Sequence, residues 1–500
     1  MILILVFWGG STVYAEYCPN LQYVCTDEDK IYGYVQQFAI FEMNVNSYCS
    51  FVPAGGYNEL TGVLTDNLED NGCNANNNIF VFNKISIDDG ENIDIAYTSN
   101  SSDYLFYTAA GNFVITPSLE NPSYFNANPL EATVDFSTES GEVANQDFCF
   151  TANGVHSDLE IVLASTEPAR PGFDAEYYVI YKNKGNQIAT GEINFDFDDD
   201  VLDYVSATES PITENYGVIT WQYTDLLPFE SRSFIITLNV NAPTETPAVN
   251  IGDILNFSTT INPIEGDEQP EDNQFNLEQV VVGAYDPNDI TCLEGNILEP
   301  DYIGKYLHYL INFENTGNAP AENVVVAMNV DTTLYNLNSL ELLNRSHDMN
   351  VRVNGNKVEF IFESIFLEPL EKGSIVFKMK AQETLQVGDT ITQHAEIFFD
   401  YNFPIITNTA STTFAVLNTP EFLAETALAI YPNPFNEVLT IKAKTTIKVV
   451  EIYDVQGRIV FSKELNNTEI TLNITKQSQG IYFAKISTDK GIKIEKIIKK

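Results

Sequence analysis

The feature that most restricts how this chain folds is an internal repeat with a period of about 130 residues. The segment Tyr181–Asn186 (YKNKGN) recurs as Phe313–Asn318 (FENTGN), and each copy follows an apolar, strand-like run. Further matches near this offset pair Asp199 and Leu202 with Asp331 and Leu334, Leu226-Leu-Pro228 with Leu367-Glu-Pro369, and Gly252-Asp253 with Gly388-Asp389. Because this period is the size of one domain, we expect two copies of one folded module.

The turn residues inside the repeat predict a β-sandwich. Asn-x-Gly indicates a turn whose glycine has a positive φ, and Leu-x-Pro indicates a corner where a strand ends. Short apolar strands between such turns are typical of an immunoglobulin-like sandwich, in which two sheets bury their inner faces against each other. Trp221, at the end of the strand-like run Val218–Trp221, is expected in that core.

Both copies resemble the immunoglobulin-like conserved-repeat domains of bacterial surface proteins. The second begins at Tyr285-Asp-Pro-Asn-Asp289 and ends near Phe399-Asp-Tyr-Asn-Phe-Pro404. With these two motifs it resembles a domain of unknown function that is common just upstream of sorting tails in Flavobacteria. The resemblance implies a module of an exported protein.

Length and charge limit the function classes. A chain of 500 residues exceeds what one hydrophobic core supports, so three to five modules are expected. The net charge is −45, and a polyanion of this size repels nucleic acids and anionic membranes. The charge is uneven, because residues 427–500 carry 12 Lys and Arg against 7 Asp and Glu. We therefore expect no nucleic-acid partner, and a tail with a separate task.

The first residues predict export. The apolar run Met1–Phe7 is followed by small residues and Val13-Tyr14-Ala15, an approximate signal-peptide cleavage site after Ala15. The run has no basic residue before Lys30, so a truncated or misassigned start is an open alternative. No later stretch has the length of a transmembrane helix, and none is expected.

The segment 16–50 differs from the β-rich remainder. Thr26–Asp29 (TDED) is a capping-box pattern before apolar residues at helical spacing, which predicts a short helix. Together with Cys18–Cys25 (CPNLQYVC) it resembles the closing unit of a leucine-rich-repeat array. Only one such unit is recognisable, which is compatible with an array lost from, or lying outside, this sequence.

Residues 55–150 read as short strands between Asn, Asp and Gly turns. They resemble the prealbumin-like modules of surface adhesins. The six cysteines at 18, 25, 49, 73, 149 and 292 are too sparse to be the main scaffold, although pairs among the first four are possible.

Nothing in the sequence predicts catalysis. The four histidines, His156, His308, His347 and His394, form no metal-binding pattern, and no nucleophile or phosphate-loop motif is present. His308 and His394 lie in strand-like runs and are interpreted as packing or surface residues. We therefore expect no enzyme, no catalytic residues and no cofactor.

Two acidic segments leave structural calcium as an open alternative. Asp196, Asp198 and Asp200 alternate, but Val201 stands where an EF-hand loop needs glycine, which favours solvated turn acids. Asp286–Asp289 (DPND) either binds calcium at the module junction or forms an Asx-type turn.

The tail carries the most specific motif. It reads Leu428–Phe435 (LAIYPNPF), then a strand-like run, Gly457-Arg458, and Gly480–Ile486 (GIYFAKI). This order strongly resembles the type A C-terminal sorting domain of the type IX secretion system. The motif residues are Tyr431, Pro432, Asn433, Pro434, Phe435, Gly457, Arg458, Gly480, Tyr482 and Phe483. The two prolines predict a stiff, extended lead into the first strand, and the resemblance implies recognition by the outer-membrane translocon.

The predicted fold is therefore all-β and multi-modular, and the protein is expected at the cell surface or outside the cell of a Bacteroidetes-type bacterium. The predicted parts are a leader at 1–15, a leucine-rich-repeat-like cap at 16–50, a prealbumin-like module at 55–150, immunoglobulin-like sandwiches at 155–283 and 284–416, and a sorting domain at 425–500. The expected function is an adhesion or binding stalk for an extracellular glycan or protein. A purely structural surface component, or a protein accessory to a secreted hydrolase, is the alternative.

Overall fold

The structure is a computed structural model of the whole chain. It describes residues 3–7, 21–26, 28–38, 44–53, 56–68, 72–73, 80–416, 428–454, 458–475, 477–488 and 491–500. The chain divides into two compact units, residues 1–416 and residues 417–500. The prediction of an all-β, multi-modular fold is confirmed.

The N-terminal segment contains a small parallel sheet. Its elements are strand β1 (Leu3–Phe7), strand β2 (Leu21–Thr26), helix α1 (Glu28–Phe38) and strand β3 (Asn44–Asn46). The predicted helix is present, and a Cys25–Cys49 disulfide joins β2 to the residues after β3. The apolar residues that predicted a leader form β1, which pairs with β2. The predicted cleavage residue Ala15 lies outside the described residues.

The first module, residues 58–152, is built from nine short strands. They are β4 (Asn58–Asp66), β5 (Lys84–Asp88), β6 (Ile93–Tyr97), β7 (Asp103–Thr108), β8 (Gly111–Ser118), β9 (Phe125–Asn128), β10 (Ala132–Phe136), β11 (Val143–Asn145) and β12 (Phe148–Ala152). A 3₁₀ turn spans Pro122–Tyr124. Its core is rich in aromatic side chains, and a Cys73–Cys149 disulfide crosses the module, a pair beyond those considered from the sequence.

The second module, residues 159–280, is a sandwich of two antiparallel sheets ordered β13-β14-β19-β16 and β17-β18-β15-β20-β21. Trp221 is buried between them, as expected. Its strands are β13 (Leu159–Ser165), β14 (Asp174–Asn183), β15 (Ala189–Phe197), β16 (Leu202–Ala207), β17 (Thr213–Asn215), β18 (Val218–Leu226), β19 (Ser231–Val240), β20 (Ile254–Asn262) and β21 (Gln274–Val280).

The third module, residues 289–414, includes a four-stranded sheet ordered β22-β24-β29-β26. Its strands are β22 (Asp289–Cys292), β23 (Ile297–Leu298), β24 (Tyr306–Glu314), β25 (Val324–Asn329), β26 (Tyr335–Arg345), β27 (Asn350–Asn354), β28 (Lys357–Phe362), β29 (Lys372–Ala381), β30 (Thr390–Gln393), β31 (Glu396–Phe399), β32 (Ile405–Ile406) and β33 (Ala410–Phe414). A 3₁₀ turn spans Pro300–Tyr302.

The repeated asparagine makes matching hydrogen bonds in the two modules. Asn183 donates from its side-chain amide to the carbonyls of Gln187 and Leu226, at 2.7 and 2.9 Å. Asn315 makes the same pair of bonds, to the carbonyls of Ala319 and Leu367, both at 2.8 Å. In each copy one asparagine therefore ties the turn after a strand to the Leu-x-Pro corner.

The expected reason for the glycines in these turns is wrong. Gly185 and Gly317 do not have a positive φ, and the residues that do are Phe229 and Leu370, one beyond each corner proline. A Cβ on Gly185 would lie 2.6 Å from the carbonyl oxygen of His156. The glycine is needed because another part of the backbone approaches closely, not because the turn is left-handed.

One nine-stranded sheet is shared by the first and third modules, in the order β10-β8-β5-β6-β27-β28-β25-β31-β32. The modules meet where β6 pairs antiparallel with β27, with Ile95 opposite Val353. Ile95 and Val353 face the core of the third module, whereas Ala96, on the opposite face, lies in the core of the first. The pairing satisfies two sheet edges that would otherwise be open.

The second and third modules pack through their four-stranded sheets. Val162 and Ile180 of the second module share one apolar cluster with Leu310, Leu343 and Val376 of the third. Strands β13 and β29 are consequently buried on both faces.

The tail unit contains β34 (Ala429–Tyr431), β35 (Val438–Tyr453), β36 (Ile459–Asn473), β37 (Gly480–Thr488) and β38 (Gly491–Lys499). The alternation read from the sequence is confirmed, because Ile441, Val450, Ile452 and Ala484 all lie in its core. No helix in the described ranges has the length and apolar character needed to cross a membrane.

Candidate functional site

The most unusual feature of residues 1–416 is a buried network of charged side chains where the three modules meet. At its centre is Lys378 on β29, whose side chain is 1% exposed. Its ammonium lies 2.6 Å from Glu120, in the loop after β8, and 2.5 Å from Glu160 on β13. Lys182, at the end of β14, contributes a second ammonium 3.3 Å from Glu120. Each module therefore supplies at least one charge.

These groups are held in their ionised forms by one another. Burial disfavours the charge on Lys378, but Glu120 and Glu160 raise its pKa above the ordinary value. Burial likewise opposes ionisation of Glu120, but Lys378 and Lys182 lower its pKa to about 2. Neither carboxylate is available as a general acid near neutral pH.

His308 on β24 extends the network. Its Nδ1 lies 2.5 Å from Glu294 and its Nε2 lies 3.7 Å from Glu160. Burial lowers the pKa of His308, but the two carboxylates outweigh it and raise the pKa to about 9. His308 is buried and packs edge-on against Phe275, which agrees with its interpretation as a packing residue, and it also joins the charge network through Glu294 and Glu160.

A group of three carboxylates lies at the edge of the network. Asp158, Asp267 and Asp272 bring one carboxylate oxygen each within 4.8 Å of the others, which is close enough for a metal site. The ammonium of Lys184, 2% exposed, lies 3.0 Å from Asp158 and also bonds Asp272. Burial disfavours this ammonium, but the surrounding carboxylates raise its pKa well above the ordinary value. The lysine therefore supplies the positive charge that a metal ion would otherwise bring.

The first and third modules share one more buried pair. Lys84 on β5 lies 3.3 Å from Glu341 on β26 and donates to the carbonyl of Asn338 at 2.5 Å. The hydroxyl of Tyr97 donates to the carbonyl of Leu340 at 2.8 Å. These contacts join the first and third modules through buried polar groups as well as through the shared sheet.

The acidic segments considered for calcium have protein partners. Asp198 accepts the backbone N–H of Asp200, and Asp200 accepts the hydroxyl of Tyr216. Asp286 accepts the N–H of Asn288 at 3.0 Å, which is the Asx turn that was one of the two interpretations of this segment. Asp196 lies at the end of β15, and its pKa is raised by burial.

In the tail, residues of the proline motif hydrogen-bond to the last strand, β38, instead of forming an extended lead into the first strand. The side-chain amide of Asn433 donates to the carbonyl of Lys496 at 2.8 Å and accepts the N–H of Ile498 at 2.9 Å. Phe435, 1% exposed, continues this contact, because its N–H donates to the carbonyl of Ile498. The prediction of an extended lead is therefore wrong, since Asn433 and Phe435 turn onto the edge of β38.

The other motif residues have separate places. Arg458 bonds Asp454 through its backbone N–H at 3.0 Å and its Nε at 2.8 Å, which closes the turn between β35 and β36. Tyr482 is buried on β37, whereas Phe483 on the opposite face is 40% exposed. Pro432 and Pro434 flank Asn433, Tyr431 ends β34, and Gly480 starts β37. Gly457 lies outside the described residues.

Two family models match the chain. Residues 429–500 match the secretion system C-terminal sorting domain, and residues 286–413 match a domain of unknown function, DUF7619. These matches define the class as an exported all-β protein with a C-terminal sorting unit. The sorting domain indicates export by type IX secretion to the cell surface or outside the cell. None of the curated proteins compared matches the chain.

Among solved structures, the major pilin subunit of Bacillus cereus is 9% identical, over 84% of this chain and 95% of the pilin, with a TM-score of 0.19. The collagen adhesin of S. aureus is 11% identical, over 51% of this chain and 92% of its own, with a TM-score of 0.19. A DUF3823 family protein from Parabacteroides merdae is 10% identical, over 46% and 98%, with a TM-score of 0.18. Similarities this low carry no conclusion about function.

Proposed function

We propose that the protein is a non-catalytic adhesion or binding stalk, in which the three β modules form a rigid stem and the tail unit directs export. The observation that carries the proposal is the junction of the modules. A stem must resist bending between its modules, and here a shared sheet, a shared apolar face and a buried charge network join all three.

The charge network supports rigidity more than it supports stability. Burying paired ions costs desolvation energy, and well-packed apolar side chains often stabilise an interface as much. Charged groups, however, tolerate few alternative arrangements, because separating any pair leaves an uncompensated charge inside the protein. The network therefore favours one relative placement of the modules.

The binding role is assigned to the N-terminal segment. Its strands pair in parallel with Ile4 opposite Tyr23 and Val24 opposite Val45, so about 20 residues separate successive strands. Parallel strands at this spacing are typical of leucine-rich repeats, whose extended surfaces bind ligands. We infer an extracellular glycan or protein as the ligand.

This segment is attached to the third module. The hydroxyl of Tyr48 donates to Glu359 at 2.6 Å, and the side-chain amide of Asn44 donates to the carbonyl of Asn402 at 2.7 Å. Tyr48 also packs on Ile361 and Phe398, on the outer face of the shared sheet. The contacts favour a binding unit held firmly by the stem.

The proposal is tested in a host that has type IX secretion. Four forms, each carrying the same added export leader, are compared: the full chain, a form ending at Pro420, a form lacking residues 1–53, and the tail alone fused to an unrelated reporter. Surface antibody labelling measures export, and attachment of cells to mucin-coated and gelatin-coated surfaces measures adhesion. We expect loss of surface labelling without the tail, and loss of attachment at normal labelling without residues 1–53.

The alternative of a purely structural component predicts a different result. Attachment would then be the same with and without residues 1–53 at equal surface labelling. Retention of the full chain inside the cell would contradict the export assignment itself. Resistance of the stem to protease in each form shows whether the deletion has left the modules folded.

A further inference from the structure

Among the described strands, β7 of the first module pairs with β4 only, so its other edge is open there. The bond from the N–H of Leu64 to the carbonyl of Ser102 fixes which residues of β7 face β4. In antiparallel pairs the bonded residues alternate, so Tyr104 and Phe106 face β4 while Leu105 and Tyr107 point the other way. Within the described part of the chain, the backbone N–H and C=O groups of Leu105 and Tyr107 have no hydrogen-bond partner.

This edge faces a groove. A cavity of about 580 Å³ lies between β7, residues 51–53 and strands β27 and β28 of the third module. Two further cavities, each of about 390 Å³, adjoin this one. The first shares Tyr107 with it as a lining residue, and the second shares Ser99. The three cavities follow the length of β7.

The groove is a gap in the layer that covers the shared sheet. On one side, β7 and its neighbours cover β6. On the other side, Tyr48 and Phe51 cover Ile361 and its neighbours. Between them, Asn350 and Glu363 are exposed and Arg352 is half-buried. One more strand beside β7 would complete the layer.

The groove is acidic. Its lining carries six carboxylates against two guanidinium groups, those of Arg345 and Arg352. The six are Asp89, Glu91, Asp94, Asp103, Asp348 and Glu363. A basic occupant is favoured on charge, and opposite charges raise both specificity and the rate of encounter.

We propose that the groove binds an extended, basic peptide segment of a partner protein, which adds to β7 as a further strand. Strand addition matches the observed groups, because a peptide backbone supplies the donors and acceptors that Leu105 and Tyr107 lack. Natural proteins protect open edges with lysine, proline or a covering loop, whereas the exposed residues of β7 include Leu105, 43% exposed. One wall of the groove, residues 51–53, belongs to the N-terminal segment, but the backbone groups that would pair with the peptide lie on β7. The peptide test below therefore succeeds or fails independently of whether the N-terminal segment binds a ligand.

The test uses the full chain and three blocked ten-residue peptides. The first alternates lysine and valine, the second alternates glutamate and valine, and the third is the lysine peptide with alternate backbone nitrogens methylated. Fluorescence anisotropy measures binding, and hydrogen exchange locates it. We expect the lysine peptide to bind at least tenfold more tightly than either control, to weaken with salt, and to protect the N–H groups of Leu105 and Tyr107.

Two variants separate the edge from the groove wall. Leu105→Pro removes an outward N–H without touching the bonds to β4, and we expect at least fivefold weaker binding, whereas Leu105→Thr retains that N–H and should bind normally. Glu363→Gln should weaken only the lysine peptide. Thermal unfolding of each variant checks that the first module is intact.

Three results would overturn the proposal. Equal binding of the methylated peptide would show that backbone pairing is not involved. Protection outside residues 103–108 would place the peptide elsewhere. Concentration-dependent self-association that protects Leu105 and Tyr107 without peptide would identify a second copy of this chain as the occupant.

Discussion

At the residue scale, single charged side chains decide how the modules are held. Among the ion pairs of the described residues, Lys378 alone contacts both Glu120 and Glu160. Lys182 contacts only Glu120 of these two, and His308 contacts only Glu160. Removing Lys378 leaves two buried carboxylates partly uncompensated.

We expect Lys378→Met to lower the free energy of unfolding of residues 1–416 by about 3–5 kcal/mol, because one partner of a buried ion cluster is lost. Lys372→Met, on the same strand, is the matched control. Its partner Glu167 is partly exposed, and a surface ion pair contributes at most about 1 kcal/mol. Urea unfolding of the full chain measures both, and equal effects would contradict the role given to Lys378.

Two groups of the network, Glu120 and His308, contribute to stability in a pH-dependent way. The pKa of Glu120 is lowered to about 2, so its contribution is present above its unfolded value of 4.5 and is lost as the pH falls towards 2. The pKa of His308 is raised to about 9, so its contribution is present below its unfolded value of 6.5 and is lost as the pH rises towards 9. The contributions of these two groups are both fully present between pH 4.5 and 6.5.

Urea midpoints at a series of pH values measure this dependence. His308→Asn should lower the free energy of unfolding most near pH 6. The difference in this free energy between the variant and the unmodified protein should shrink as the pH approaches 9.5, about half a unit above the raised pKa. A difference that stays constant over this range would show that His308 is not charged in the folded protein.

In the tail, Asn433 is expected to hold the last strand. Asn433→Ala removes two hydrogen bonds to the backbone of β38 and should cost about 1 kcal/mol, since both bonds are at the surface. The N–H of Ile498 should then exchange faster in the full chain. Asn436→Ala, at an exposed neighbouring position, is the control and should leave this exchange unchanged.

At the scale of elements, the repeated asparagine is the clearest link between sequence and structure. Asn183 and Asn315 bond matching carbonyls in the two copies, and both are buried. Replacing either by alanine removes two hydrogen bonds from a buried side chain, so we expect each substitution to cost about 2 kcal/mol. Chemical unfolding of Asn183→Ala and Asn315→Ala tests this, and a cost at only one site would contradict the equivalence.

The same comparison shows what local patterns could predict. The two modules, helix α1, the buried Trp221 and the alternation in the tail follow from periodicity and turn residues close together in the chain. The role of Asn433 was missed because its partners, Lys496 and Ile498, are more than 60 residues away.

At the scale of the whole molecule, sequence patterns could not predict how the modules are joined. The pairing of β6 with β27 links residues more than 250 positions apart, and nothing in either strand identifies its partner. The charge network left a weaker signal, because Glu160 is the single charge in β13 and Lys378 lies between the apolar Phe377 and Met379 in β29. A charge in such a run indicates a buried partner, but not which one.

The central claim is that residues 1–416 act as one rigid stem, and scanning calorimetry of the full chain tests it most directly. The account predicts one cooperative transition for the three modules, with equal calorimetric and van't Hoff enthalpies, and a separate transition for the tail unit. Lys378→Met should lower the temperature of the first transition alone. Separate transitions for the second module and for the pair that shares a sheet would contradict the account.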